Sequence, residues 1–116
     1  MAKKIALFAF NGDVTCFVHV LLNALEMNQK GYDVKIVMEG AAMRLISELA
    51  DSAKPLSNLY RQVKEMGLID CVCNACAAKT GALEAATEQW LPLCEEMSGH
   101  ASMTKYLEQG YVIITF

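Results

Sequence analysis

Six consecutive residues near the start of the chain, Ile5 to Phe10, are all apolar, and this constrains the fold more than any other feature. A strand with one wet face alternates apolar and polar side chains. A run that is apolar at every position suits a strand covered on both faces, as in a parallel sheet. Asn11-Gly12-Asp13 closes the run with a turn, and Asp13 is placed to cap a helix. Val14, Phe17, Val18, Leu21, Leu22 and Leu25 then recur at helical spacing, and Gly31 ends that helix. Val34 to Met38 is a second buried strand, closed by Gly40.

The alternation continues. Ala42, Leu45, Ile46 and Leu49 mark a second helix. Pro55 suits the first turn of a third, whose stripe is Leu56, Leu59, Tyr60 and Val63 and whose end is Gly67. Leu68 to Cys73 reads as a third strand. Cys76 to Ala86 favours helix, interrupted by Gly81. Pro92 argues against a helix around Trp90 to Met97, where a short fourth strand is placed at Leu93-Cys94. Ser102 caps a last helix with Met103, Tyr106 and Leu107. Gly110 ends it, and Tyr111 to Phe116 is the closing strand. Strands alternating with helices predict an α/β fold: one three-layer domain over residues 1–116, with about five mainly parallel strands and helices on both faces.

Composition narrows the function. Hydrophobic residues at 54% and charged residues at 20% exclude disorder. A net charge of −3 and a pI near 5.3 offer no basic field for nucleic acid or an anionic membrane. No apolar run approaches the roughly 20 residues of a spanning helix. Lys3-Lys4 followed by Ile5–Phe10 is too short an apolar region for a signal peptide and lacks a small-residue cleavage site, so the expected compartment is the cytoplasm.

The cysteines are the one anomaly. There are five, Cys16, Cys71, Cys73, Cys76 and Cys94, and three of them fall within six positions. An odd number in a cytosolic chain with a full core does not suggest a disulfide scaffold. In open α/β sheets, reactive groups gather beyond the carboxyl ends of the strands. Four segments meet that description: Asn11 to Cys16, Gly40-Ala41, Cys73 to Cys76, and Ser98-Gly99-His100. Cys73 is expected at a strand exit and Cys76 in the first turn of the following helix. There the helix dipole and nearby Lys79 would favour a thiolate, the nucleophilic form. His100 is placed to take a proton from a thiol, or merely to bond its own loop. Cys16, Cys71 and Cys94 read as buried filler, as do Trp90 and the methionines, and His19 reads as packing beside the helical stripe. A second chemistry is a tetrahedral zinc site on Cys71, Cys73 and Cys76, completed by His19 or His100.

Taken together, the opening strand and polar turn, GYDVKIVMEG after the first helix, the segment CNACAAKTG at Cys73 to Gly81 and the closing GYVIITF resemble the DsrE-like sulfur-relay family (DsrE, DsrF and TusD type). The resemblance spans the whole chain. It puts Cys73 in the place of the family's persulfide-carrying cysteine and Cys76 in that of the second cysteine some members have. Thr80 stands where members often carry Arg, with Lys79 before it. The resemblance implies a small sulfur carrier of sulfurtransferase type that takes persulfide sulfur on Cys73, assisted by Cys76. It also implies sulfur donor and acceptor proteins as partners, a homo-oligomer, and no cofactor. Two other classes remain open on the residues: a metal-binding or thiol-redox module, and a non-catalytic subunit of an oligomer.

Overall fold

The structure, a computed structural model, describes residues 2–116. Its elements begin with β1 (Lys4–Ala9), α1 (Val14–Gln29) and β2 (Asp33–Met38). A 3-10 segment, Gly40–Arg44, leads into α2 (Leu45–Ala50), followed by α3 (Ser57–Glu65) and β3 (Ile69–Cys73). Next come α4 (Asn74–Thr80), α5 (Leu83–Glu88), β4 (Leu93–Cys94), α6 (Met103–Glu108) and β5 (Val112–Thr115). The strands form one sheet in the order β4-β3-β2-β1-β5, every pair parallel. The expected α/β fold, with helices on both faces of a parallel sheet, is what the chain adopts.

The layers are unequal for a topological reason. From β1 to β4 the strands step in one direction, and right-handed crossovers then place all the intervening helices on one face. The return from β4 to β5, at the far edge, carries α6 across the other face. The two faces accordingly hold separate cores. Ile5, Leu7 and Ala9 pack with α1 to α5, whereas Ala6 and Phe8 pack with Val37, Cys71, Cys94 and Tyr106. Each fully buried Leu, Ile or Phe contributes about 1.5–3 kcal/mol from surface removed from water.

Strand β3 carries an extra residue. Ile36 is registered with Ile69 and Val37 with Cys71, so Asp70 forms a bulge. The bulge moves Cys71 onto the α6 face, with Val72 opposite it. It also frees Asp70 to accept a hydrogen bond from the Tyr106 hydroxyl and to pair with Lys35 Nζ at 3.5 Å.

Three expectations need correction. Trp90 is 91% exposed rather than core, and Met66 and Met97 are exposed as well. Trp90 N–H bonds Thr87 O at 3.1 Å and Leu91 N–H bonds Ala86 O at 3.0 Å, which is the helix-ending pattern usually built on a left-handed glycine. Trp90 takes that left-handed place, with φ 60, and it is Leu91 that turns inward. His19 is exposed on α1 rather than packed. Cys71 and Cys94 are not filler thiols but a disulfide joining β3 to β4. The sequence alone gave no reason to pair them, because only the sheet order makes these strands neighbours.

Candidate functional site

All strands being parallel, their carboxyl ends share one edge, and Cys73 closes β3 there. Cys73 is the N-cap residue of α4, and Cys76, three residues on, occupies the first turn. The third group arrives from the loop after β4. Ser98 and Gly99 both have positive φ, 51 and 90, and Met97 and His100 exchange backbone hydrogen bonds at 2.9 and 3.0 Å. Both central residues in the left-handed region make a tight hairpin turn, for which Gly99 is well suited. The turn is pinned to α4, since Ala75 N–H donates to Gly99 O at 2.8 Å and Asn74 Nδ2 to Glu95 Oε2 at 2.8 Å.

That clamp puts His100 Nδ1 3.3 Å from Cys73 Sγ. The ligating atoms of Cys73, Cys76 and His100 all lie within 4.8 Å of one another. Cys73 is fully buried, whereas Cys76 and His100 are half-buried. Burial pushes the Cys73 thiol above its ordinary value, against the backbone N–H groups of Cys76 and Ala101, which favour the thiolate. For Cys73 this is the opposite of the depressed value expected from a helix end. The sulfur is closed off from water, and His100 Nδ1 is within hydrogen-bond reach of it.

Of the four residues singled out for catalysis, Cys73, Cys76 and His100 come together. Lys79 does not. It is exposed in the last turn of α4, and at 1.5 Å per residue it lies roughly 9 Å along the helix from Cys73. The alternative metal set of Cys71, Cys73 and Cys76 also fails, because the sulfur of Cys71 is bonded to Cys94. The turn after β1 rests on the 3-10 segment, where Arg44 donates to Gly12 O at 3.3 Å and a side chain at Gly12 would meet Ala41 O at 2.6 Å. That segment in turn packs on α4. Cys16 is a free, half-buried thiol on α1.

Two features of this edge escaped the sequence reading. A cavity of about 330 Å³, lined by Phe10, Glu39, Met97, Ala101, Met103 and Thr104, opens beside the His100 turn. Glu39 is only 8% exposed, and burial raises its carboxyl above the usual range. Its sequence signal was available: it is the acid that directly follows the apolar run of β2. The other feature is the hydroxyl of Tyr106, which lies 3.3 Å from Cys71 Sγ and donates to Asp70. Burial and Asp70 together drive its ionisation far upward, so it remains a neutral donor.

Fold and site together define a small parallel α/β domain that carries a thiol pair and an imidazole at its carboxyl edge. The chain belongs to the DsrE/DsrF-like family, whose model matches residues 4–116. It is 37% identical over 97 residues to an uncharacterized protein of Methanocaldococcus jannaschii, MJ0733, covering 84% of this chain and 77% of that one. A second uncharacterized protein, from Archaeoglobus fulgidus, is 48% identical over 42 residues, 36% of this chain and 69% of the relative. In fold the chain is similar to a conserved protein of unknown function from Bacteroides thetaiotaomicron, BT1422. The TM-score is 0.75 at 18% identity, over 98% of this chain and 95% of that one.

Proposed function

We propose that the chain is a small sulfur carrier of sulfurtransferase type, holding sulfane sulfur on Cys73 and exchanging it through Cys76. The observation that supports this is the contact of Cys73 Sγ with His100 Nδ1 at 3.3 Å, with the half-buried Cys76 beside it. Family membership adds to it, since the family is generally linked to sulfur relay.

The burial order favours one division of roles. The Cys76 thiolate attacks the outer sulfur of a donor persulfide. A Cys76 S–S bond forms, the donor S–S bond breaks, and the donor leaves as a thiolate. Cys73 gives its proton to His100 Nδ1 and attacks the same outer sulfur, releasing Cys76 as a thiolate. The sulfane sulfur then sits on Cys73, away from water and oxidants. The reverse passage delivers it to an acceptor protein's thiolate, and no step consumes an oxidant or reductant. The functional unit is a homo-oligomer working between donor and acceptor proteins.

Mass spectrometry after incubation with a low-molecular-weight persulfide tests this. The expected result is one added sulfur atom, localised to Cys73 rather than Cys76. Cys73→Ser leaves the sulfur on Cys76, from which it is readily lost, and Cys76→Ser slows loading or blocks onward transfer. His100→Ala slows loading by about 100-fold, the lower end of what a positioned base contributes. Loading that is indifferent to Cys73 would overturn the reading.

A further inference from the structure

The three groups at the sheet edge have a capacity that does not depend on sulfur transfer. Cys73 and Cys76 are three residues apart at the start of α4, so both sulfurs lie on one side of the helix. His100 is brought to them by a turn hydrogen-bonded to that same helix through Ala75 and Gly99. Two thiols and an imidazole nitrogen therefore converge from a rigid frame, with mutual separations between 3.3 Å and 4.8 Å. A tetrahedral zinc ion with Zn–S near 2.3 Å and Zn–N near 2.0–2.1 Å would set its sulfurs roughly 3.8 Å apart and its sulfur and nitrogen roughly 3.6 Å apart. The observed separations bracket both values. Closing onto an ion needs shifts of about 1 Å or less, within the reach of side-chain rotation.

We propose that Cys73 Sγ, Cys76 Sγ and His100 Nδ1 form a three-ligand site for zinc(II). The donor set decides the class of ion. Two soft thiolates and an imidazole suit zinc and disfavour the hard cations magnesium and calcium, which take oxygen ligands. Among the described residues no further His, Cys, Asp or Glu joins the cluster, and Cys71, the other nearby sulfur, is held in its disulfide. Three protein ligands leave the fourth position of the tetrahedron for an external one. That is the pattern of zinc sites that bind a ligand rather than merely brace a fold. Cys76 and His100 are only half-buried, which leaves an ion held there open to such a ligand, and a thiolate or hydrosulfide anion fits a thiophilic ion.

The test is cobalt(II) titration of the full chain, stripped with a chelator under anaerobic conditions. The expected result is a sulfur-to-cobalt charge-transfer band with intense tetrahedral d–d bands, saturating at roughly one ion per chain and abolished by added zinc. Cys73→Ser, Cys76→Ser and His100→Ala each weaken binding by more than about tenfold, while Lys79→Ala leaves it unchanged. Weak octahedral bands without charge transfer, or binding indifferent to His100→Ala, would overturn the site. A second readout on the unmodified sequence guards against misfolded variants. Zinc must slow alkylation of Cys76 and leave that of Cys16 unaltered, and equal rates at Cys76 with and without zinc would also overturn it. Persulfide loading is measured on metal-free protein, so either outcome leaves the sulfur-carrier test intact.

Discussion

Glu39 shows how one side chain acquires a property from its surroundings. It directly follows an apolar strand, so the fold draws it inward, and it lines the cavity beside the His100 turn. Burial holds its carboxyl above the ordinary value of 4.5, so the folded chain keeps a proton that the unfolded chain releases. Its contribution to stability is therefore greatest below pH about 4.5 and declines as the pH rises through the raised value. Glu39→Gln should flatten that decline, as read by urea denaturation across the acidic range. An unchanged slope would show that the carboxyl is solvated in the folded chain. Cys73 makes a similar point. Its place at the strand exit and its neighbour Cys76 are legible in CNACAAKTG, but its full burial is not, and burial reverses the expected direction of its thiol.

Among the elements, β4 depends most on its neighbours. Two residues pairing with β3 make a poor strand, and Pro92 precedes them. The Cys71–Cys94 disulfide, spanning 23 positions, supplies what the ladder lacks. Loop-closure entropy for a ring of that size gives about 3 kcal/mol, so Cys94→Ala should lower the unfolding free energy by roughly that amount in urea denaturation. A loss under about 1 kcal/mol would mean that packing alone holds β4 in place. The elements themselves were largely readable. Asp13 and Ser102 cap their helices by accepting backbone N–H bonds from Thr15 and Lys105, as their positions suggested. Gly81, with φ 77, divides the expected Cys76–Ala86 helix into α4 and α5. Pro55 falls just outside α3 rather than in its first turn.

On the scale of the whole molecule, the unequal layers leave one edge bare. α1 to α5 cover the sheet from β4 to β1, and β5 lies beyond them with Val112 59% exposed and Ile114 also exposed. An uncovered edge strand carrying apolar side chains is a template for association. The proposed homo-oligomer predicts that the pure protein sediments as more than a monomer at micromolar concentration. Val112→Lys should shift it toward the monomer, and a monomer throughout would contradict the assembly. No helix among the described residues is long and apolar enough to cross a membrane.

Local features are legible in the chain alone. Apolar runs such as Ile5–Phe10 define doubly covered strands, 3.6-residue stripes define helices, and a cysteine at a strand exit followed by another three residues on defines a thiol pair. Each follows from neighbours within a few positions, where backbone sterics and burial periodicity act. The packed fold settled the remainder. It chose His100 rather than Lys79 as the partner of Cys73, joined Cys71 to Cys94, and set Glu39 against a cavity beside the His100 turn. These outcomes depend on strand order and crossover hand. The disulfide spans 23 positions and the Cys73–His100 contact 27, too far for local periodicity to encode.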